Sequence, residues 1–431
     1  MQNPLAAPIA PLDPSCMDDF DPSSLLVEQA LERIRALAAP VAGVERVAIR
    51  EALGRVLAES VRSPLDVPSH DNSAMDGYAV RAADTGGDLP VALRVLGTAW
   101  AGRPFPDPVG PGECVRIMTG AVMPAGTDSV VIQEKTQPGP PNTVRFSERP
   151  RARDNVRDAG EDIRRGATVL PAGQRIGPAE LGVLASLGTV EVSVRRRLRV
   201  AFFSTGDELR SLGEPLEAGC VYDSNRYTLL AMLRAIGAEV LDLGVVRDVR
   251  EDVERAFREA AAAADAIVTS GGVSVGEADF VKETLEKTGE VGFWKIAMKP
   301  GRPLAFGRVG DALFFGLPGN PVSVMVTFYQ FVQPALRRMM GEPAASPVRF
   351  RVPSASRLRK RPGRVEFQRG VLAYDETGRL TVRSTGGQGS GILSSMHEAN
   401  CFIVLPLESE GVEPGREVDV EPFGGVTGCA P

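Results

Sequence analysis

The chain of 431 residues is too long for one hydrophobic core and, at roughly 100 to 200 residues per domain, predicts two to four domains. Its 43% hydrophobic and 24% charged residues are typical of globular proteins. The 49 basic and 55 acidic side chains give a net charge of -6, so no overall basic field attracts nucleic acid. An anionic ligand must therefore be held by local donors.

Several compositional features bear on location and chemistry. No Lys or Arg occurs in the first 32 residues, which argues against a secretory signal or a transit peptide. The longest uncharged run, 312–336, is interrupted by Pro318, Pro321 and Pro334, so we expect a strand, a turn and a buried helix rather than a membrane span. The five cysteines are scattered without a CxxC pair, which predicts a reduced, cytoplasmic protein without zinc or disulfides.

Histidine is scarce, with only two in the chain. This argues against a His-rich transition-metal site and against a Ser-His-Asp centre. The chemistry of the protein is therefore expected to use Asp, Glu, Lys and backbone amides.

The predicted elements begin after a proline-rich tail, residues 1–22, which we expect to be disordered. Ser24 is then a candidate N-cap for a helix whose apolar residues recur at helical spacing up to Pro40. From residue 63 to residue 151 the pattern changes to short apolar runs broken by Pro and Gly, which predicts a β-rich domain. Pro178 can begin a short helix beyond it.

The organisation of this first part suggests an insertion. The segments 23–62 and 152–197 have similar mixed patterns and flank the β-rich segment 63–151. We therefore predict that the two flanking segments form one discontinuous domain, into which the β-rich domain is inserted.

Residues 198–343 alternate strands and helices, as in a mostly parallel sheet with crossover helices. The first strand ends at Ser204, and the next helix begins at Ser224 or Asn225. Asp248 is predicted to cap the helix that follows the second strand. The sequence thus predicts a three-layer α/β domain at the centre of the chain.

Turn and cap residues continue to mark the boundaries of elements further along. Glu277 is expected to open a helix, whereas Asn320 and Pro321 are a good N-cap and a good first helical residue. Residues 344–431 return to a β pattern and predict a small C-terminal β domain.

Three carboxylates are predicted to lie at one edge of the central sheet. Glu208, Asp248 and Asp279 follow successive predicted strands, and ligands of open parallel sheets bind beyond the carboxyl ends of the strands. Oxygen ligands of this kind suit Mg²⁺. Each residue taken alone is better explained as a helix cap or a solvated turn residue. Their shared position favours a metal site.

The glycine-rich run SGGVSVGEAD, residues 270–279, predicts an anion-binding loop. Glycine permits the backbone conformations in which successive N–H groups face a phosphate, and the positive end of the following helix adds to the attraction. As a bare pattern the loop is equally compatible with a structural turn. Its candidate substrate contacts are Ser270, Gly271, Gly272, Ser274 and Gly276.

Two lysines downstream extend this prediction. If the segment FWKIAMKPG is extended, Lys295 and Lys299 share one face with Ala297, while Trp294 and the other apolar residues take the opposite face. Lysines placed in this way can hold a pyrophosphate. The alternative is a solvated strand edge.

Seven strings of residues carry a resemblance to a known family. They are SAMDGYAVR (73–81), RIMTGAVMPAGTDSVV (116–131), GEDI (160–163), FSTGDEL (203–209), SGGVSVGEAD (270–279), FWKIAMKPGRPLAFG (293–307) and GLPGNPVS (316–323). In this order they resemble the molybdopterin molybdenumtransferases, the bacterial MoeA-type enzymes to which the E domain of gephyrin is related. The resemblance covers nearly everything from about residue 24 to residue 423.

The resemblance implies an enzyme of molybdenum cofactor biosynthesis that takes adenylated molybdopterin and molybdate, uses Mg²⁺ and releases AMP. It also implies an elongated homodimer, in which the discontinuous domain serves as linker and dimerisation domain and residues 344–431 form a small β-barrel. Molybdopterin adenylyltransferase and apo-molybdoenzymes are candidate protein partners, and neither nucleic acid nor a membrane is expected as a partner.

Matched motif by motif, the functional positions of the family fall on Asp76, Thr119, Asp162, Glu208, Asp248, Asp279, Lys295, Lys299 and Arg369. The resemblance implies that the three carboxylates of the sheet edge hold Mg²⁺, and that the glycine loop and the two lysines hold the pyrophosphate. Asp76, with Asp162 as a second candidate, orients the attacking oxygen or the pterin. Arg369 and Ser390 are candidate contacts to molybdate or pterin from the partner subunit.

Two other classes of function remain open. The central domain alone fits a nucleotide-pyrophosphate hydrolase or a molybdopterin adenylyltransferase, but the motifs around Asp76 and Arg369 fit these poorly. For a noncatalytic dimeric scaffold, like the E domain of gephyrin, we would expect some of these carboxylates and lysines to be replaced by residues that lack their chemistry. Every matched position here retains its chemistry, which favours the enzyme. The sequence leaves open whether molybdate or tungstate is preferred and which carboxylates bind metal directly.

Overall fold

The computed structural model describes residues 24–86, 89–271, 281, 283–285 and 289–423. The predicted proline-rich tail and Glu277 lie outside the described residues, whereas residues 281 and 283–285, shortly after Glu277, are helical. No helix within the described ranges is both long enough and apolar enough to cross a membrane.

The first part of the chain forms short strands and two helices. The helices are α1 (Val27–Leu37) and α2 (Pro178–Ser186). The strands are β1 (Val44–Ala48), β2 (Val61–Arg62), β3 (Asn72–Ser73), β4 (Gly77–Val80), β5 (Val91–Ala99), β6 (Glu113–Ile117), β7 (Ser129–Ile132), β8 (Thr136–Pro138), β9 (Thr143–Phe146), β10 (Val156–Arg157), β11 (Thr168–Leu170) and β12 (Glu191–Arg195). Helix α2 begins at Pro178, as its sequence predicts.

The β-rich segment folds into a six-stranded sheet with the order β7-β4-β6-β5-β9-β8. Three two-stranded pairs, β1 with β12, β2 with β11 and β3 with β10, join residues before this sheet to residues after it. The first two pairs bring the segments 23–62 and 152–197 together, so the chain leaves and re-enters the same part of the structure, whereas β3 belongs to the β-rich segment itself. This is the topology expected of an insertion.

Helix α1 begins at Val27 rather than directly after Ser24. The N–H of Leu25 donates to the carbonyl oxygen of Lys295 at 2.8 Å, and its own carbonyl accepts from the N–H of Ala297 at 2.8 Å. These bonds hold Leu25 in a strand-like pairing, so the helix cannot start before it. The predicted N-cap at Ser24 is therefore wrong.

The central part of the chain alternates strands and helices. Its strands are β13 (Arg199–Thr205), β14 (Leu209–Arg210), β15 (Val221–Tyr222), β16 (Glu239–Val246), β17 (Ala266–Ser270), β18 (Gly289–Lys295), β19 (Met298–Lys299), β20 (Pro303–Val309) and β21 (Ala312–Leu317). Its helices are α3 (Ser224–Ala235), α4 (Arg250–Ala263), α5 (Pro321–Thr327) and α6 (Gln333–Met339). A π-helical segment, Phe328–Val332, joins the last two helices.

These strands form a six-stranded sheet with the order β16-β13-β17-β21-β20-β18. The first four strands are parallel, and the last two run antiparallel to their neighbours. Alternate residues of β13 belong to different cores: Phe202 packs with Leu229 of α3, and Phe203 packs with Phe257 of α4. Helices therefore cover both faces of the sheet, which confirms the predicted three-layer, mostly parallel α/β domain.

Helix α4 begins at Arg250, and its N-cap residue is Val249, without a side-chain cap. The prediction that Asp248 caps this helix is therefore wrong. Asp248 lies one residue before the cap, and its carboxylate is close to the acidic residues that follow β13.

The C-terminal part of the chain is built from strands β22 (Phe350–Pro353), β23 (Leu358–Arg359), β24 (Val365–Tyr374), β25 (Leu380–Ser384), β26 (Cys401–Leu405), β27 (Gly411–Val412) and β28 (Glu417–Pro422), with the short helix α7 (Ser394–Glu398). The main sheet has the order β19-β24-β26-β28-β22, and β25 pairs with β24. Cys401 is fully buried in this sheet, as its apolar surroundings in the sequence predict. Strand β19 comes from the central part of the chain and joins the two parts.

Candidate functional site

The carboxyl ends of three parallel strands lie side by side in the central sheet. Ser204 of β13 is in register with Ser270 of β17, and Ser270 is in register with Leu317 of β21. Ser204 and Ser270 are both buried. Because the strands are parallel, the loops that leave them emerge at the same edge, which is where ligands bind in such sheets.

Gly271 begins the glycine-rich loop in a conformation that requires glycine. Its φ is +87°, and a Cβ placed on it would lie 2.4 Å from the carbonyl oxygen of Thr205. Its N–H donates to the carbonyl of Leu317 at 3.1 Å. The backbone therefore turns tightly between two strand ends as soon as β17 finishes. Gly272, Ser274, Gly276 and Asp279, which were predicted for this site, lie outside the described residues, and their roles remain predictions.

Asn225, in the first turn of α3, joins two of the loops at this edge. Its Nδ2 donates to the hydroxyl oxygen of Ser270 at 2.8 Å and to the carbonyl oxygen of Gly319 at 2.6 Å. Gly319 belongs to the turn between β21 and α5. The sequence identified Asn225 only as a possible helix start, because nothing in its local pattern reveals contacts with residues 45 and 94 positions away.

Five buried side-chain oxygens in or beside these strand ends have no hydrogen-bond partner among the described residues. They are Ser204 Oγ, Thr205 Oγ1, Asp223 Oδ2, Asn225 Oδ1 and Thr269 Oγ1. Buried polar atoms in proteins are nearly always hydrogen-bonded to protein, water or ligand. A concentration of unsatisfied oxygens therefore indicates a place that takes up water or a polar ligand.

Carboxylates gather next to this edge. The N–H of Asp248 is 3.5 Å from Oδ1 of Asp207. Burial of the Asp248 carboxyl, together with the negative charges of Asp207 and Glu208, raises the pKa of Asp248. Glu208 and Asp207 thus both lie close enough to Asp248 to raise its pKa, and Asp207 is a member of this group that the predicted trio did not include.

This donor set has the chemistry that Mg²⁺ prefers, namely oxygen ligands with excess negative charge. Among the described residues, no group of three or more His, Cys, Asp or Glu side chains is placed to hold a metal ion. Asp279, the third predicted ligand, is outside those residues. Glu208 and Asp248 of the predicted trio are thus neighbours in the structure, and the metal-binding role of the trio remains a prediction.

Lys295 and Lys299 do not lie on one strand. Lys295 is the last residue of β18 in the central sheet, whereas Lys299 belongs to β19, which pairs with β24 of the C-terminal sheet. Ala297, which was expected on the lysine face, is buried together with Ile296 and Met298. The predicted alternation is wrong because the chain passes from one sheet to the other between the two lysines.

Asp76 and Thr119, which are 43 residues apart in sequence, meet in the inserted β-rich part. Both the N–H and the hydroxyl of Thr119 donate to Oδ1 of Asp76, at 2.7 Å and 2.8 Å. These two hydrogen bonds, and more weakly the charge of Arg116, lower the pKa of Asp76. The side chains of both residues are exposed, so the ionised carboxylate is held in one orientation while facing solvent.

Asp162 is also exposed, and its backbone N–H donates to the carbonyl of Val67 at 3.1 Å. No hydrogen bond among the described residues joins its carboxylate to Asp76 or Thr119. The structure therefore groups two of the three predicted residues of this region and leaves Asp162 by itself.

Arg369 is almost completely buried, with 1% of its surface exposed. Its Nε donates to Ser395 Oγ at 3.0 Å, and Nη2 donates to the carbonyls of Gly387 and Gly389 at 3.4 Å and 3.0 Å. Burial lowers the pKa of Arg369 to about 10. The guanidinium thus holds the glycine-rich loop 386–391 and is turned away from solvent.

That loop contacts the central domain. The backbone N–H of Val322, in the first turn of α5, donates to the carbonyl of Ser390 at 3.0 Å. Gln388 adds a second attachment, because its side chain accepts from the N–H of Arg369 at 2.8 Å and donates to the carbonyl of Arg369 at 3.1 Å. Arg369, Ser390 and the turn before α5 are therefore connected within one chain.

Comparison with known proteins agrees with this architecture. Three family models match in chain order: the MoeA N-terminal region (domain I and II) over residues 25–188, the probable molybdopterin binding domain over 201–338, and the MoeA C-terminal region (domain IV) over 351–423. The three models together cover nearly all of the three six-stranded sheets.

Individual proteins are similar over most of the chain. The molybdopterin molybdenumtransferase of Haemophilus influenzae is 47% identical over 385 residues, which are 89% of this chain and 95% of that protein. Gephyrin of Dictyostelium discoideum is 35% identical over 87% of this chain and 59% of its own length. The crystal structure of a molybdopterin biosynthesis MoeA protein from Pyrococcus horikoshii superimposes with a TM-score of 0.79 at 29% identity, covering 93% of this chain and 100% of the other.

Proposed function

Because the chain belongs to the molybdopterin molybdenumtransferase family and is an enzyme of molybdenum cofactor biosynthesis, we propose that it inserts molybdate into adenylated molybdopterin and releases AMP. The observation that carries this proposal is the sheet edge at which Ser270, Gly271 and Gly319 meet beside the carboxylates of Asp207 and Asp248. A phosphate-binding turn next to excess negative charge is suited to a metal-bound pyrophosphate.

In this proposal the glycine loop receives the phosphates. The tight turn at Gly271 begins this loop at the end of β17, and Lys295 and Lys299 supply positive charge from the two sheets to which they belong. Donors that are already in place stabilise the charge that develops on the departing AMP without further rearrangement. The loop positions Gly272, Ser274 and Gly276 are assigned to the same role.

Glu208 and Asp248, together with Asp279, are the proposed Mg²⁺ ligands. Negative charge is already crowded around Asp248, since burial and the neighbouring carboxylates raise its pKa, and a cation relieves this repulsion. Bound Mg²⁺ supplies charge neutralisation and polarises a phosphoryl oxygen. Asp207 contributes negative potential to this site.

The pair formed by Asp76 and Thr119 is proposed to orient the attacking oxygen or the pterin. Two hydrogen bonds to Oδ1 fix the carboxylate and leave Oδ2 without a hydrogen-bond partner among the described residues, so Oδ2 can accept from a ligand donor. Asp162 is the second candidate for this role. No contact joins Asp76 to the central sheet edge within the described part of the chain, so the pair is proposed to act across a dimer interface.

Arg369 and Ser390 are proposed to act through the loop 386–391, which contacts the first turn of α5 beside the sheet edge of its own chain. The guanidinium is buried and its donors are directed at carbonyl groups of that loop, which favours a positioning role for Arg369. Ser390 lies on the loop and is the proposed contact to molybdate or pterin.

Quaternary structure and location complete the proposal. We propose a cytoplasmic homodimer with a linker and dimerisation domain (23–62 and 152–197), an inserted domain (63–151), a molybdopterin-binding domain (198–343) and a C-terminal β-barrel (344–431). Sedimentation velocity at micromolar concentration tests this, and a monomer would contradict it.

The reaction is tested with purified protein, adenylated molybdopterin, molybdate and Mg²⁺. We expect stoichiometric AMP by chromatography and reconstitution of an apo-molybdoenzyme. AMP release that is independent of molybdate and yields no active cofactor would indicate a pyrophosphate hydrolase. A dimer that forms neither product would indicate a scaffold.

A further inference from the structure

We propose that Asn225 is a positioning residue of the transfer reaction, because its amide group ties the end of β17 to the turn between β21 and α5. The proposal rests on the function proposed above and adds to it a residue on a different element from the predicted anion-binding loop. Both contacted atoms, Ser270 Oγ and the carbonyl oxygen of Gly319, belong to the sheet edge assigned to the pyrophosphate.

The chemistry of the partners fixes the orientation of the amide. The carbonyl of Gly319 can only accept a hydrogen bond, so the atom 2.6 Å from it must be the NH₂ group of Asn225. The second hydrogen of that group is used by Ser270 Oγ at 2.8 Å. Nδ2 is therefore fully engaged, and it clamps the two turns together.

The other end of the amide is unsatisfied. Oδ1 of Asn225 is buried and has no hydrogen-bond partner within the described residues. Since leaving a buried acceptor unpaired is unfavourable, this oxygen favours a donor that arrives with the ligand or its hydration shell. The residue thus combines a structural contact on one side with an open acceptor on the other.

Asn225 is itself held firmly in place. Asp223 caps α3 by accepting from the N–H of Arg226 at 3.0 Å, and Asp223 is 2% exposed. The Nε of Arg226 donates to both carboxylate oxygens of Asp242 on β16, at 2.9 Å and 3.0 Å. The first turn of α3 is therefore anchored both to its own cap and to the sheet, so the position of Asn225 does not depend on the ligand.

The consequence for function follows from the two turns that Asn225 joins. Ser270 leads directly into the glycine loop, and Gly319 leads into the first turn of α5, where Val322 contacts the loop of Ser390. Loss of the clamp allows both turns to shift, and displacements of about 1 Å at remote positions lower turnover by roughly 100-fold. The effect is on the placement of the phosphates rather than on the stability of the fold.

The test compares Asn225→Ala and Asn225→Asp with the wild type. Aspartate preserves the shape and the acceptor but removes both donors. We expect kcat/KM for AMP release to fall by about 100-fold in both variants, mainly in kcat. Binding of inorganic pyrophosphate, measured by calorimetry in Mg²⁺, should weaken by about tenfold, the equivalent of one lost hydrogen bond.

A matched control lies one turn further along α3. Thr228 donates its hydroxyl to the carbonyl of Ser224 at 3.0 Å, within helix α3 itself. Thr228→Ala should retain wild-type kinetics, pyrophosphate affinity and melting temperature. The melting temperatures of the Asn225 variants are expected to stay within a few degrees of the wild type, and Asn225→Asp provides the test if Asn225→Ala does not fold.

A double-mutant cycle separates positioning from general damage. If Asn225 acts through the hydroxyl of Ser270, Asn225→Ala in a Ser270→Ala background should reduce kcat/KM by less than it does in the wild type. The proposal would be overturned if the losses of kcat/KM in the two single variants multiplied fully in the double variant. It would also be overturned by a folded Asn225→Asp variant with wild-type kinetics and pyrophosphate binding. A wild type that binds pyrophosphate but releases no AMP contradicts the proposed reaction alone, and the calorimetric comparison still decides the role of Asn225.

Discussion

Thr119 donates two hydrogen bonds to the same carboxylate oxygen of Asp76, one from its backbone N–H and one from its hydroxyl. A threonine in a turn thereby fixes both the rotation and the ionisation of an aspartate on another strand. Because only Oδ1 is used, Oδ2 stays available on an exposed surface. The first prediction follows from this arrangement.

Thr119→Val should raise the pKa of Asp76 towards its ordinary value, because one of two stabilising hydrogen bonds to the carboxylate is lost. A carboxyl group whose pKa is lower in the folded than in the unfolded state stabilises the fold at pH values above its unfolded-state pKa. This stabilisation is lost as the pH falls through its folded-state pKa. The stability difference between variant and wild type should therefore be largest near neutral pH and disappear in acid. Carboxyl NMR titration and pH-dependent melting measure both effects.

The controls for this prediction are local. Thr119→Ser keeps the donor and should keep the pKa of Asp76. Thr127, whose hydroxyl donates to the carbonyl of Pro124 at 2.7 Å, contacts no carboxylate. Thr127→Val should therefore leave the titration of Asp76 unchanged, and an equal change in the two valine variants would contradict the assignment.

Gly271→Ala should be strongly destabilising. The left-handed backbone costs a non-glycine residue about 1 to 2 kcal/mol, and the contact with the Thr205 carbonyl adds an overpacking cost of about 1 to 3 kcal/mol. In Gly182→Ala the new methyl group lies in an exposed position of α2 with nothing within 4 Å, and this variant should gain about 0.5 to 1 kcal/mol. Urea denaturation of both variants measures the contrast.

Arg369→Met should lower the free energy of unfolding by about 3 kcal/mol, because the carbonyls of Gly387 and Gly389 and the hydroxyl of Ser395 lose a charged donor in a buried environment. Amide hydrogen exchange in residues 386–391 should accelerate, and AMP release should fall. Arg383 is exposed on the neighbouring strand. Arg383→Met should behave like the wild type, and unchanged exchange in Arg369→Met would contradict the positioning role.

Asp207→Asn should weaken Mg²⁺ binding by about tenfold, since affinity for hard cations depends on the number of nearby carboxylate charges. The removal of this charge also lowers the pKa of Asp248, whose rise is due first to burial and then to Asp207 and Glu208. Calorimetric titration with MgCl₂ measures the affinity. Glu217→Gln removes an exposed carboxylate that pairs with Arg210 at 3.2 Å and should leave the affinity unchanged.

The sequence was most informative where periodicity and turn chemistry agree. The starts of α2 at Pro178 and α5 at Pro321, and the start of α3 at Ser224, follow from proline and capping preferences that act within a few residues. The alternation of strands and helices predicts the mostly parallel sheet for the same reason. Local signals also identify Glu208 and Asp248 as residues that follow strands.

Contacts between distant segments could not be predicted in this way. Leu25 is held by the segment at Lys295, which delays the start of α1, and the chain changes sheets between Lys295 and Lys299. The burial of Arg369 depends on a loop that folds back from about 20 residues further along. Each error arises because tertiary hydrogen bonding determines a position that the local pattern leaves free.

The segment between Lys295 and Lys299 connects the central sheet to the C-terminal sheet, with the backbone of one lysine paired into each. Any rotation of one sheet against the other must change the separation of the two positive charges. A polyanion bound by both lysines opposes such rotation, and the preferred angle in turn sets the affinity for the polyanion. Binding of the polyanion to the two lysines and the angle between the two sheets are thus thermodynamically linked. Each affects the other by the same free energy, and no additional switch is required.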